Sequence, residues 1–246
     1  MTARRRSLLS LAAEDFFYFQ NHRYPRAPAL QWVGDRYALT EMERQLLNRG
    51  VFGRREALRR LGRLCRGTDW CDEILVVDGH NVQITVESAI LGRLLLRGND
   101  GALRDLAGQS ARFRLSGVSD SAVGLVIGLL NELRPREAVF LFDAPMSHSG
   151  LLAAMYRERM KSIGLPGESR TVPVPEREIP YDRCVVASSD GAVLDMASRW
   201  LDLAQASILA AGLLRLEADF SSLVLAHRID PQLPGELDFF QNPDPE

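Results

Sequence analysis

The 246-residue sequence predicts an α/β fold: a three-layer α/β/α domain around a central, mostly parallel sheet, preceded by a small all-α domain. Three observations carry that prediction. Helical patterns with surplus arginine and tight turns fill residues 1–66. After Gly67, short apolar runs rich in β-branched residues alternate with helical patterns, as strands covered on both faces require. The length suits one large domain with a small appendage, giving 1–68 as a basic, helix-turn-helix-like domain, 69–229 as the α/β domain, and 230–246 as a loosely ordered, acidic, Pro-containing tail.

Each element has a local reason. An aromatic-rich amphipathic helix begins near Ser10 and is interrupted at Tyr24-Pro25. A short helix over Ala27–Val33 meets a turn at Gly34-Asp35. Thr40 followed three residues later by Glu43 is a capping box that opens a helix over Glu41–Asn48, stopped by Gly50. A basic helix, Arg54–Arg66, closes the first segment at Gly67-Thr68. Strands follow at Glu73–Val77, Val139–Phe142 and Arg183–Ala187, with an edge strand at Thr171–Pro175, where prolines are tolerated. Between and after them lie helices at Thr85–Arg97, Asp120–Arg134 (capped by Ser119 or Asp120), Gly150–Ile163 and Ala192–Leu216. Phe239-Phe240 offers an anchor for the tail.

Charge is divided unevenly. Residues 1–66 hold 14 arginines and 6 acids, a net of +8, so the remaining 16 basic and 26 acidic groups give a net of −10. A basic segment beside an acidic domain suits a polyanion partner and a bound cation, although the two halves also attract each other. The arginines Arg54, Arg55, Arg59, Arg60 and Arg63 are the candidate nucleic-acid contacts, and a helical docking module is the alternative use of this segment. No apolar run reaches the ~20 residues that cross a bilayer. The leader-like start is cut short by Glu14 and Asp15, so a cytoplasmic protein without a membrane partner is expected. Three cysteines at no metal-ligand spacing exclude a disulfide framework and a zinc ribbon. Self-association is left open.

The chemistry concentrates at strand ends. Each of the three main strand patterns runs into an aspartate: Asp78, Asp143 and Asp190. In an open parallel sheet the carboxyl ends share one edge, and ligands bind where strand order reverses. Carboxylates gathered there repel unless a cation neutralises them, which points to Mg²⁺ or Mn²⁺. Singly, each aspartate is better explained by turn or N-cap duty; together they are not, because turns accept Asn, Ser or Gly equally. Asn81, Ser189, Asp100, Asp195, Ser147 and His148 are supporting candidates, with Ser147-His-Ser149 able to cap a helix whose free N–H groups would hold phosphate. Asp195 and Asp202 would share a helix face if that helix is continuous; Glu87, Asp105 and Asp202 are further acids that could extend the cluster but better suit a solvated helix face. His80 is an acid/base candidate or plain polar surface. No phosphate-binding P-loop, serine-hydrolase elbow or dinucleotide fingerprint occurs.

The motifs Val77-Asp-Gly-His-Asn-Val82, Phe140-Leu-Phe-Asp-Ala144 and Val186-Ala-Ser-Ser-Asp190 resemble the strand-end motifs of the PIN-like nucleases, especially the NYN branch. More closely, Arg23-Tyr-Pro-Arg26, Val33-Gly-Asp-Arg-Tyr37, Asp78–Glu87, Asp100–Asp105, Asp143–Gly150 and Ser189–Asp195, across most of residues 15–203, resemble an uncharacterised prokaryotic family of unknown function that joins a short helical domain to such a domain. The resemblance implies a metal-dependent nuclease that cleaves RNA to 5′-phosphate products. It assigns Asp78, Asp143 and Asp190 to a Mg²⁺ or Mn²⁺ site, with Asn81 and Ser189 in support. His80 stands where the branch has tyrosine, with consequences for substrate stacking. The acid usual on the helix ahead of the last motif is missing: Met155–Lys161 offers Glu158 alone, leaving Asp100 and Asp195 as substitutes. The rival expectation is a non-catalytic nucleic-acid-binding or protein-interaction protein on a degenerate version of the same fold.

Overall fold

A computed structural model describes residues 2–106 and 115–226. Four helices lead: α1 (Ala3–Asn21), α2 (Arg26–Arg36), α3 (Glu41–Gly50) and α4 (Arg54–Leu61). Helix α1 buries Leu9, Ala12, Ala13, Phe16 and Phe17, the i, i+3, i+4, i+7, i+8 stripe of a core-facing helix. It ends where Arg23 takes a left-handed turn (φ 58°) ahead of Pro25. The Thr40–Glu43 capping box forms as expected. Gly34 is helical rather than a turn, and α2 runs on to Arg36. The Arg44 guanidinium lies where a Cβ on Gly34 would sit, so the glycine admits that side chain against the helix.

The alternating part follows: β1 (Ile74–Asp78), α5 (Gly79–Ile90), β2 (Leu95–Arg97), β3 (Leu103–Asp105), α6 (Gly117–Leu133), β4 (Glu137–Asp143), α7 (Ser149–Ser162), β5 (Gly167–Val172) and α8 (Pro175–Glu178). Then come β6 (Val185–Ala187), α9 (Gly191–Met196), β7 (Trp200–Leu201), α10 (Leu203–Ala210), β8 (Leu216–Asp219) and α11 (Ser222–Ala226). The central sheet has the order β5-β4-β1-β6-β7, and every pairing in it is parallel. Strand order therefore reverses at β1. Period-two alternation sends Leu75, Val77, Phe140 and Phe142 to one face, against α5, α6, α7 and α10. Val76, Val139, Leu141, Val186 and Trp200 go to the other, against Val193 and Leu194 of α9.

Three expected elements differ. The helix expected over Thr85–Arg97 starts earlier, at Gly79, and stops at Ile90; Gly92 (φ 64°) turns the chain, and Leu95–Arg97 is strand β2. Of the helices expected over Ala192–Leu216, α9 and α10 form, but Trp200-Leu201 between them is taken up as the sheet's edge strand β7. Asp195 and Asp202 consequently lie on different elements. The basic helix ends at Leu61, because residues 63–65 pair with β7: Cys65 N–H donates to the Trp200 carbonyl (2.8 Å) and Trp200 N–H to the Arg63 carbonyl (3.0 Å). The edge strand expected over Thr171–Pro175 forms earlier, over Gly167–Val172, with the prolines past its end, and α6 is capped by Ser116, with Ser119 completing the box. The expected tail, residues 230–246 with Phe239-Phe240, lies outside the described residues.

The helical segment does not stand apart. A second sheet, β3-β2-β8, lends Leu96 to the core of α1–α3, joined by Phe220 and Val224. No helix among the described residues is long and apolar enough to cross a membrane.

Candidate active site

Asp78 ends β1, at the point of strand reversal, and its side chain caps α5: Oδ1 accepts from Asn81 N–H (3.4 Å) and Oδ2 from Ser188 Oγ (2.9 Å). Gly79 beside it cannot be larger, since a Cβ there would lie 2.4 Å from the Phe142 ring. Burial pushes the Asp78 carboxyl up to about 7; the Asp143 and Asp190 charges push the same way, while the Ser188 and Asn81 hydrogen bonds oppose. Asp143 ends β4, the neighbouring strand. Its N–H donates to His80 Nδ1 (3.1 Å), and its Oδ2 lies 3.2 Å from the same nitrogen. Asp190 follows β6 on the other side and caps α9, Oδ1 accepting from Ala192 and Val193 N–H (2.9 and 3.2 Å).

Asn81 ties two of these elements together, its Oδ1 accepting from Ser189 N–H (2.8 Å) and Ser189 Oγ (3.1 Å). All five residues line one cavity of about 520 Å³, together with His80, Arg104, Asp105 and Glu176. The helical segment closes one wall with Asn48, Arg49 and Phe52. The strand-end aspartates thus share a cavity, and no arginine pairs with any of the three among the described residues. Yet no three His, Cys, Asp or Glu side chains among those residues stand close enough together to cage an ion as placed. Two carboxylate oxygens, Asp143 Oδ1 and Asp190 Oδ2, take no hydrogen bond from the described residues and remain for a ligand.

The other candidates separate. Asp100 is fully buried and holds Arg60 Nη1 (2.9 Å) and Arg104 Nη2 (2.7 Å); burial alone would raise its pKa, but the two guanidinium groups hold it below the usual carboxylate range. Asp195 is bound by Arg59 (2.6 Å) and Arg60 (2.9 Å). Neither aspartate is available as a substitute ligand. Ser147 and His148 are exposed ahead of α7; His148 sits at the cap position but makes no capping bond, and neither lines the cavity. Glu158 is exposed on α7 and does not line it either.

Among the arginines, Arg60 is 2 % exposed, committed to Asp100, Asp195 and Glu56, and Arg63 donates to the Asp195 and Ala197 carbonyls (3.2 and 3.1 Å). Both serve the fold rather than a partner: their guanidinium groups donate to α9 and the residue after it, and their carbonyls accept from Trp200 of β7. Arg60 and Arg104, with Arg26, surround the Phe52 ring at 4.4, 5.0 and 4.9 Å.

Sequence reasoning missed two contributors, Arg104 and Ser188, and set a third, Asp105, on the wrong element. Asp105 lies on β3 rather than on a solvated helix and adds a further acid to the cavity, within 3.5 Å of Arg49. Arg104 holds the Ser189 carbonyl (2.9 Å) and thereby the loop that carries Asp190. Ser188 anchors both Asp78 and the Asp190 N–H (3.1 Å). The signal for Ser188 is the Ser-Ser-Asp run itself; for Arg104 there is none, and the placement of Asp105 on a strand needs the long-range pairing of β2 with β3. His80 is buried with its ring edge-on to Phe142 (5.2 Å, 89°), so it presents neither polar surface nor a stacking face. Asp202 is a buried cap, accepting from Leu103 N–H (2.6 Å) and Gln205 N–H (2.8 Å), and Glu87 accepts from Gln83 (2.8 Å).

Comparison with known proteins finds two families. Residues 68–206 match a domain of unknown function (DUF5616), and residues 8–63 match a protein family of unknown function (DUF434). An uncharacterized protein, MJ0935 of Methanocaldococcus jannaschii, is 30% identical over 183 residues, which span 74% of this chain and 87% of that protein. No solved structure matches.

Proposed function

The chain belongs to the DUF5616 family, and from its geometry we propose a metal-dependent phosphodiesterase on a PIN-like domain, acting on nucleic acid and by preference on RNA. One observation carries the proposal: Asp78, Asp143 and Asp190, from separate strand ends, line one cavity at the reversal of strand order, and Asp78 there is pushed up to about 7. That placement is the general binding position of open α/β sheets. An all-oxygen donor set suits Mg²⁺ or Mn²⁺, so Asp78, Asp143 and Asp190 would hold the ion, with Asp105, which lines the same cavity, as a further acid to take the place of the one absent from α7. When bound, the ion would activate water for attack and neutralise charge on the scissile phosphate.

The chain's own groups do the remaining work. Asn81 and Ser189 fix the distance between α5 and the loop after β6. Arg104 pins that loop from the other side. His80 holds Asp143 by its Nδ1. Arg49, at the wall supplied by the helical segment, offers a cation to the phosphate. Arg54, Arg55 and Arg59, exposed or half-exposed on α4, would hold the strand's backbone.

The test is cleavage of labelled single- and double-stranded RNA and DNA with Mg²⁺, Mn²⁺ or EDTA. Metal-dependent cleavage that Asp78→Asn abolishes, in a variant that keeps its circular dichroism, supports the proposal. Full activity in that variant, or in EDTA, overturns it. A second reading, a nucleic-acid-binding protein without catalysis, is favoured by one observation: Asp78 and Asp190 already serve as helix caps, and no three acids close into a cage. Calorimetry separates the two, since this reading predicts no heat on adding Mn²⁺ while RNA is still bound.

A further inference from the structure

At the far end of α1 the chain exposes large aromatic rings beside unneutralised arginine. Tyr18, Tyr24 and Trp32 are 58%, 45% and 53% exposed. They are not loose: half-buried Phe19, part of the helical core, meets Tyr24 at 5.1 Å and Trp32 at 5.9 Å, and Tyr18 packs on His22 at 4.0 Å. Exposing this much aromatic surface is unfavourable in water, and holding it rigid suits a planar ligand.

The arginines adjoin it. Gln20, Asn21 and Arg23 of the same turn line a cavity of about 430 Å³ with Arg54, Arg55 and Arg59. The left-handed Arg23 (φ 58°) places this side chain directly before Tyr24, so the cavity and the rings share one chain segment. Arg23 and Arg55 have no side-chain partner among the described residues, and Glu56, the one acid in the lining, is taken by Arg60. Asn21 Oδ1 caps Arg54 N–H (2.7 Å), which fixes α4 against α1 and keeps the cavity formed.

We infer that this face binds single-stranded nucleic acid, with unpaired bases stacked on Tyr18, Tyr24 and Trp32 and the phosphates of the same strand in the arginine-lined cavity. Alternating π-faces and cations are what such a strand needs; a duplex hides its base faces and an acidic peptide has no use for the rings. The inference rests on reading the chain as one that acts on nucleic acid, but not on hydrolysis.

The experiment uses the full chain in EDTA with a short labelled oligouridine and a duplex of matched length. Trp70 and Trp200 are buried, so quenching of tryptophan emission reports on Trp32. The single strand should bind and quench, and Trp32→Ala should weaken it about tenfold while Trp32→Phe, which keeps a π-face, restores most of the affinity. Arg23→Gln with Arg55→Gln should flatten the logarithmic salt dependence by about 1.4, two contacts at ~0.7 each. Duplex bound as tightly as the single strand, affinity unmoved by Trp32→Ala, or a dimer that Trp32→Ala dissociates would overturn the inference. Hydrolysis is scored separately: metal-dependent cleavage with unchanged KM in Trp32→Ala sinks the platform alone, whereas Trp32-dependent binding without cleavage sinks the phosphodiesterase alone.

Discussion

Asp78→Asn should make the protein more stable at the same time as it removes its activity. A carboxyl that titrates near 7 instead of its ordinary 3.8 is ionised at about pH 8 against its surroundings. At about 1.4 kcal/mol per pH unit, three units amount to an upper bound of about 4 kcal/mol. Asparagine removes the charge and keeps an acceptor for Asn81 N–H, but loses the Ser188 hydroxyl's donation, a cost of about 1 kcal/mol. A net gain of about 2–3 kcal/mol then raises the melting temperature by about 5–10 °C for a chain of this size. The sign is fixed by linkage: a raised carboxyl stabilises the fold below its ordinary 3.8 and loses that contribution as pH climbs through about 7. Melts followed by circular dichroism in EDTA should show the variant's advantage at about pH 8 and no advantage at about pH 4. A variant that melts lower at both, or gains equally at both, would refute the argument that burial and the neighbouring carboxylates set this group. Mn²⁺ at about a hundred times its Kd should lift the wild type by about 2.7 kcal/mol and leave the variant unmoved.

Arg60→Met strips the fully buried Asp100 of one of its two guanidinium partners and should cost about 3–5 kcal/mol in urea unfolding; a change near zero would show that Arg104 alone neutralises it. Asp202, pushed up to about 6 by burial with the Leu103 and Gln205 N–H groups opposing, stabilises the fold below 3.8 and loses that contribution as pH rises through about 6. Asp202→Asn should therefore flatten the stability profile over that window, and an unchanged profile would assign the slope to another group. Arg104→Lys keeps the charge but not the forked contact with Asp100 and the Ser189 carbonyl, so cleavage should fall about tenfold with single-strand affinity unchanged. An unaltered rate would mean that the Ser188–Asp190 loop holds its place without it.

What could be read in advance was whatever depended on local rules. The Thr40 capping box, the continuous apolar runs that became β1, β4 and β6, and the aspartate closing each of them need only a few neighbouring residues to specify them. What escaped depended on distant partners. Leu95–Arg97 has a helix-compatible sequence and is a strand because Leu103–Asp105 and Leu216–Asp219 lie beside it. Trp200-Leu201 breaks an alanine- and leucine-rich pattern because β6 has an open edge to fill. Arg60 and Arg63 look, in sequence, the same as Arg55, and only the positions of Asp100, Asp195 and the edge strand turn the first two inward.

The same distinction explains why the aspartates admitted two readings. A carboxylate at the end of a parallel strand that feeds directly into a helix sits at that helix's N-cap, where it accepts free N–H groups. In a parallel sheet those N-caps all lie on the one edge where ligands bind. Capping and ion-binding therefore ask for the same residue at the same position, and Asp78 and Asp190 satisfy the first demand whether or not they meet the second. Asp143 breaks the symmetry. It caps no helix, since α7 begins at Ser149 behind His148; its carbonyl accepts from Met146 N–H (3.1 Å), and its carboxylate, among the described residues, meets only His80. That turn uses the Asp143 carbonyl, while the half-exposed carboxylate faces a cavity already bordered by two others. Asp143→Asn is for that reason the substitution in which folding and ion binding come apart most cleanly: stability should hardly move, and any Mn²⁺ affinity should fall with the activity.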